Sequence, residues 1–339
     1  MSLAARLHRA WYARRPPLAL WLLLPLHTLF FFLSWCRRLA YRCGVWRVVR
    51  LPIPVVVVGN LVVGGTGKTP LVLWLAEQLR QRGWRPGILS RGYGGSGIGV
   101  RAVLPDAAAA EVGDEPLLLA RRSGLPVWVG ADRVEAGKAL LAAHPEVDVL
   151  IADDGLQHYR LARDAEIAVV DGRGAGNGWR LPLGPLREPL SRLNTVSALV
   201  FNGTVDAGVG AACPAPQFTM RLVSGDCYQL DDAALTCPAS ALAGKKLHAV
   251  AGIGDPGRFF DTLKSLGLEF QPHPFPDHHG YTASDLDFGD ESVLLMTEKD
   301  AVKCAGLTRA EAWVLPVSAQ VPPALADLVV ETLNGRQTA

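Results

Sequence analysis

The stretch "VVVVGNLVVGGTGKTP", Val55 to Pro70, decides how the rest of the chain is read. Its four β-branched residues predict a buried parallel strand, and "PLVLWLAEQLRQRG", Pro70 to Gly83, predicts an amphipathic helix closed by a glycine. Between them "GGTGKT", Gly64 to Thr69, has the strand-before, helix-after setting of a phosphate-binding loop. Glycines let backbone amides turn toward phosphate oxygens, Lys68 supplies a point charge and Thr69 a hydroxyl for magnesium, and the helix N-terminus adds partial positive charge. One position departs from the usual pattern, since Val62 stands where its first glycine belongs. Gly64 and Gly65 move the flexibility two and three residues later, which alters the approach to the loop and leaves the cradle from Gly65 to Thr69.

Acidic residues complete a phosphoryl-transfer set. "VDVLIADDGLQH" ends an apolar strand in Asp153 and Asp154, as a magnesium-ordering strand does. Adjacent strand residues face opposite ways, so presenting both carboxylates requires the strand to stop at Ala152, leaving one for the metal and one for a neighbour such as Lys68. "EVGDEPLLLA" places Asp114 and Glu115 just before Pro116 and a helical run; it reads either as a helix cap or as a carboxylate beside a nucleotide that accepts a hydroxyl proton. "PFPDHHGYT" is a rigid loop in which a histidine could assist an aspartate from another domain, and "TEKD", Thr297 to Asp300, either lines the cleft or caps a helix.

Strand and helix signals alternate from Pro52 onward, predicting an open parallel sheet covered on both faces. The rhythm restarts near Lys246 as a smaller α/β unit. The chain is thus divided into an N-terminal segment (1–50), a phosphate-loop domain (51–235) and a smaller α/β domain (236–335). Charge divides unevenly: residues 1–50 hold nine arginines and no acidic residue, while the remainder carries 25 basic against 32 acidic side chains. That asymmetry favours a front end on anionic lipid, and no nucleic-acid partner is expected. "LALWLLLPLHTLFFFLSW", Leu18 to Trp35, lies between Arg14 and Arg15 on one side and Arg37 and Arg38 on the other. As a helix it would reach about 27 Å, just short of a bilayer core. Pro25 and His27 sit mid-run and arginines flank both ends, so a helix lying in the leaflet, with Trp21 and Trp35 near headgroups, fits at least as well as a span. Six cysteines show no metal-like spacing and read as thiols in a reducing compartment.

In their order, "GNLVVGGTGKTP", "SRGYGG", "VGDEP", "ADR", "IADDGLQH", "GPLREP", "FPDHHGYT" and "TEKDAVK" resemble the tetraacyldisaccharide 4'-kinase family of Gram-negative bacteria. The resemblance runs from Pro52 to about Lys303, extends to the arginine-flanked N-terminus, and that family commonly lacks the early glycine. It implies a P-loop NTPase-like parallel-sheet domain, a second, smaller α/β domain that closes over the site, and an N-terminal membrane-associated helix. The implied reaction transfers the γ-phosphate of ATP, with Mg2+, to the 4'-hydroxyl of a tetraacylated glucosamine disaccharide 1-phosphate, giving lipid IVA for lipid A. The implied setting is a monomer at the cytoplasmic face of the inner membrane. Carried over by motif, Val62, Val63, Gly64, Gly65, Thr66, Gly67, Lys68 and Thr69 hold the nucleotide, and Thr69, Asp153 and Asp154 the metal. Asp114 is the base, assisted by His278 with Glu115 nearby; the motif does not separate His278 from His279, and the one beside Asp277 is favoured. Arg91, Tyr93, Arg133, Gln157, Arg187 and Glu188 match the family's polar pocket. A membrane-tethered switch NTPase is the rival reading: it needs Lys68, Thr69 and Asp153, but not Asp114 and His278 together.

Overall fold

The computed structural model describes residues 3–13, 17–289, 291–308 and 310–337; Arg14 and Arg15 of the predicted N-terminal flank lie outside them. The valine run forms β1 (Val55–Gly59), and the chain then adds β2 (Pro86–Ser90), β3 (Arg101–Ala102), β4 (Val127–Val129), β5 (Val149–Asp153), β6 (Ala165–Asp171), β7 (Ala198–Asn202) and β8 (Gln217–Ser224). It crosses to β9 (Cys227–Gln229), β10 (Thr236–Cys237), β11 (Leu247–Ala251), β12 (Gln271–Pro274), β13 (Val293–Thr297) and β14 (Ala312–Leu315), and comes back with β15 (Val317–Gln320).

The large sheet runs β15-β8-β7-β6-β1-β5-β2-β4-β3, with only the two edge strands, β3 and β15, antiparallel to their neighbours. β1 sits in its middle, paired in parallel with β5 and β6. Alternate residues of one strand enter opposite cores, which is why these strands are apolar throughout: Val56 and Val58 join the core under the Lys68–Gln81 helix, whereas Val55 and Val57 join the one under the Arg133–Ala143 helix. In a parallel sheet all loops after the strands emerge at one end, and there the phosphate loop, Asp153 and Asp171 meet.

The small sheet runs β10-β9-β14-β13-β11-β12, and the two sheets divide the chain elsewhere than at residue 235. β9 belongs to the small sheet, so that unit begins near Cys227. The apolar run "EAWVLPV" serves two strands: Pro316 has no amide to continue a ladder, and the chain changes sheets there. β15 and the Ala324–Gln337 helix therefore return to the large domain, where Leu325, Val329 and Leu333 share a core with Leu71 and Leu75. Gly225 N–H donates to the Pro316 carbonyl at 3.1 Å, tying together the two crossing strands.

The apolar front end is a 3-10 turn, Leu18–Leu23, followed by an α-helix, Leu24–Arg42. Pro25 does not interrupt that helix; it occupies the first turn, where a missing amide costs nothing. His27 is buried, its Nδ1 donating to the Arg180 carbonyl at 2.9 Å, and the Arg180 guanidinium lies 3.9 Å from the Phe31 ring centroid. Most of the remaining side chains stay out: Leu22 is 82% exposed, and Leu18–Arg42 is long and apolar enough to cross a membrane. The stripe is seated by one face and bare on the others.

Because the last helix belongs to the large core, Leu333→Ala is expected to cost about 2–5 kcal/mol. A denaturant titration of the full chain reads this directly; an unchanged midpoint would remove the C-terminal return from the large domain.

Candidate active site

At the end of β1 the backbone leaves the sheet through Asn60 and Leu61 and enters the Lys68–Gln81 helix through Gly67. Gly67 has φ +88°, and a Cβ there would collide with the Asn202 amide, so only glycine fits. Val62 is explained by what it touches. It is 3% exposed, forms a β-bridge with Leu186 and packs into the core beneath the Arg133–Ala143 helix, while Val63 N–H donates to the Pro185 carbonyl at 2.9 Å. The side chain predicted to hold nucleotide thus faces the core; Val63, Gly64, Gly65, Thr66, Gly67, Lys68 and Thr69 line the cleft.

On the neighbouring strand β5 runs one residue further than expected and ends at Asp153, not Ala152. Both carboxylates are nevertheless presented, because Asp154 adopts the left-handed region at φ +49°. Asp154 accepts from Arg187 Nη1 at 2.9 Å and lies 3.6 Å from Lys68 Nζ. Burial raises its pKa, but Lys68 and Arg187 outweigh that and hold it below the usual carboxylate range. Asp153 is 1% exposed with Oδ1 unpartnered among the described residues, and burial followed by the Glu115 charge pushes its carboxyl upward. A buried acid with an unpartnered oxygen, lining the same cleft as the Thr69 hydroxyl, is a hard-oxygen donor set that fits Mg2+.

The opposite wall comes from both domains. Asp114 opens the Asp114–Ser123 helix, is 4% exposed, and has both oxygens 3.0 Å from Nδ1 of His278. His278 reaches it from a loop residue with φ +60°, with Tyr93 edge-on to its ring at 5.1 Å. The two-histidine ambiguity resolves here: His279 stacks on Phe275 and faces Asp285 within its own domain. Burial raises the Asp114 carboxyl, but the hydrogen bond to His278, then Lys299 and the imidazole charge, bring it below its ordinary value. Reciprocally, the bond to Asp114 raises His278 despite burial.

Of the six polar-pocket residues, Arg91, Tyr93, Gln157, Arg187 and Glu188 line the cleft. Arg133 does not. It is 3% exposed, donates Nη1 to the Gly130 carbonyl at 3.3 Å and acts from below as a counter-charge to Asp153 and Asp154, its own pKa lowered by burial to about 10. Gln157 bridges the others, donating to the Asn60 carbonyl and to Glu188 and accepting from Arg187. Asp114 also stands behind the cleft surface, with His278 and Glu115 in front of it.

Several residues escaped the sequence reading. Lys299 places Nζ 2.9 Å from Glu115, 3.0 Å from Asp277 and 4.0 Å from Asp114, while Lys303 lies 3.8 Å from Asp114. The signal was present in "TEKDAVK", where the two lysines sit one helical turn apart, and Thr297 caps that helix by accepting from Asp300 N–H. Arg37 and Arg38, which flank the apolar run, line the cleft, and Arg37 donates to the Gln157 carbonyl at 3.1 Å.

The cleft, of about 1150 Å³, extends from the phosphate loop to Phe30 and Leu33 on the apolar helix. A glycine cradle with its lysine, paired acids for a metal and an acid–histidine pair across a two-domain cleft define a P-loop phosphotransferase. The family profile for tetraacyldisaccharide-1-P 4'-kinase matches residues 19–334. The tetraacyldisaccharide 4'-kinase of Dechloromonas aromatica is 59% identical over 99% of this chain and 100% of its own, and that of Azoarcus sp. is 52% identical over 97% and 96%. A crystal structure of LpxK from Aquifex aeolicus, described as the "apo" form in complex with ATP, shares 31% identity with a TM-score of 0.78 and covers 93% of this chain and 100% of that one. The chain belongs to the tetraacyldisaccharide 4'-kinase family.

Because Val62 serves the core, Val62→Gly is expected to cost about 2–3 kcal/mol of stability and to leave nucleotide affinity no better. Thermal unfolding and the KM for ATP read the two effects separately.

Proposed function

We propose that this chain binds ATP on Val63 to Thr69 and transfers its γ-phosphate to the 4'-hydroxyl of a tetraacylated glucosamine disaccharide 1-phosphate, giving lipid IVA on the route to lipid A. The observation that carries the reading is the Asp114–His278 pair, assembled from two domains opposite the phosphate loop in a cleft that ends against an apolar helix. A switch NTPase has no use for that pair or for that wall.

Lys68 neutralises charge at the β- and γ-phosphates, and Thr69 with Asp153 would hold Mg2+, which when bound offsets the charge of the transferring group. Asp154 has a different part. With Lys68 and Arg187 beside it, it orients the lysine and joins the nucleotide side to Gln157 and Glu188 on the sugar side. Asp114 draws the acceptor proton, with His278 in front of it at the cleft surface to pass it on. Lys299 spans Glu115 and Asp277 and so draws the two domains together around the reacting groups. Domain closure of that kind excludes water and favours the sugar alcohol as nucleophile.

The acceptor's four acyl chains cannot leave a bilayer without exposing apolar area at about 25 cal/mol per Å². The enzyme must therefore come to the lipid. Leu18–Arg42, bare on most of its surface, is suited to seat a monomer on the cytoplasmic face of the inner membrane, with Arg37 and Arg38 at the cleft mouth for the anionic headgroup.

Incubating the protein with labelled ATP, magnesium and the acylated disaccharide phosphate should place label in the lipid; ATP loss without labelled lipid would favour the switch. His278→Ala should slow transfer by about 10²–10⁴-fold. The pH dependence follows from the raised His278 value: transfer needs this imidazole unprotonated, so kcat should fall as pH drops through a value above 6.5. The ion pair's stabilising contribution runs oppositely, complete below 6.5 and lost as pH rises through the folded value. A kcat profile flat from pH 8 to 6, or a His278→Ala variant of normal rate, would remove the pair from the mechanism.

A further inference from the structure

In the phosphate loop, three consecutive carbonyls are held from outside by three side chains of separate elements. Asn60 Nδ2, just after β1, donates to Gly64 O at 3.1 Å; Arg173 Nη2, two residues after β6, donates to Gly65 O at 2.6 Å; Asn202 Nδ2, at the end of β7, donates to Thr66 O at 3.0 Å. Among the described residues, no amide from Gly64 to Thr69 donates within the protein, and Thr66 Oγ1 is buried without a partner. Carbonyls are occupied and amides open, which is the polarity an anion requires.

The physical need for such a clamp lies in the two glycines. A Gly–Gly peptide rotates with little steric cost, and a flipped one would turn a carbonyl dipole toward phosphate. Gly64, at φ +103°, lies under Arg173, since a Cβ there would meet Nη1 at 3.3 Å. Arg173 is itself fixed. Its Nε lies 3.1 and 3.0 Å from the two oxygens of the fully buried Asp171, its Nη1 lies 3.3 Å from His8 Nε2, and its guanidinium is 5.5 Å from the Tyr12 ring centroid. Asp171 has a second guanidinium, Arg258 of the small domain, with Nη2 at 2.8 Å.

We propose that Arg173, with Asn60 and Asn202, is a positioning residue that sets the phosphate cradle. Of the three, Arg173 links that setting to the Leu3–Trp11 helix through His8 and to the small domain through Asp171 and Arg258. The loop's shape is thereby carried by side chains on neighbouring strands. Arg173 belongs neither to the glycine-lysine loop nor to the acid–histidine pair, and it touches backbone rather than the reacting atoms. This inference rests on the reading of the cleft as an ATP site.

The test compares full-length wild type with Arg173→Met, Arg173→Lys and Asn202→Ala, each checked for wild-type circular dichroism. Labelled-lipid formation gives kcat and both KM values, and equilibrium binding of a fluorescent ATP analogue gives affinity. Arg173→Met should raise the KM for ATP and weaken the analogue about tenfold, while kcat and the lipid KM change less than threefold. Arg173→Lys, keeping a charged donor, should recover part of the loss. Asn202→Ala should weaken the analogue at least threefold and keeps the test alive if Arg173→Met does not fold. Analogue affinity within twofold of wild type in the folded variants, or a loss falling equally on kcat and lipid KM, overturns the clamp. Wild type that binds the analogue yet labels no lipid contradicts the kinase reading instead, and the affinity comparison still decides the clamp.

Discussion

A loop that is to hold a polyanion by its backbone must turn amides one way and carbonyls the other, and every carbonyl so displaced must find a donor. In this chain that constraint sets the architecture of the sheet's upper end. Parallel pairing puts the ends of β1, β5, β6 and β7 in one row, so that Asn60, Asp153, Asp171 and Asn202 are delivered to a single place by strands far apart in sequence. The glycines supply freedom and the surrounding strands remove it. Val62 belongs to the same logic: the loop's first residues are pinned as a β-bridge to Leu186, and flexibility begins only where the amides start to matter.

Charge placement around the cleft follows from burial as much as from partner choice. Asp153, Asp154 and Asp114 are all carboxylates in the same cleft region, yet they are driven in different directions. Asp154 and Asp114 have cations or an imidazole close enough to overcome desolvation, whereas Asp153 has too little positive charge to do so. That difference separates a group made to wait for a cation from groups already compensated. Lys299, surrounded by Glu115, Asp277 and Asp114, has its pKa raised because attraction to three acids exceeds the cost of its burial. Since Glu115 and Asp277 come from different domains, the lysine's charge is also an adhesive between them.

The sequence disclosed whatever is local and periodic. The strand before the loop, the helix after it, the acid-ended β5 and the two-unit rhythm were legible because each is written in consecutive residues. Harder to see were features decided by long-range packing. Nothing near Arg133 says whether it faces the cleft or lies beneath it; the turn from Gly130 and the two aspartates above decide that. Pro316 was visible as a residue, but its meaning depended on β8 lying ready to receive β15. Asp154 was expected to need an earlier strand end, and a left-handed backbone achieved the same presentation. Arg173 and Asn202 carried no motif, because their partner is a carbonyl, which every residue possesses.

The insertion of the small sheet between β8 and β15 has a consequence for synthesis. Residues leave the ribosome in order, so β8 emerges and then waits while the whole of β9 to β14 is made before its neighbour arrives. Until then the nascent large sheet has a bare rim of amides and carbonyls, together with the uncovered patch that Leu325, Val329 and Leu333 later seal. The segment from Val317 to Gln337 acts as a latch on the large sheet that can fasten only once the small domain has been made, and a ribosome that stalls inside that domain leaves behind a sticky, half-finished chain.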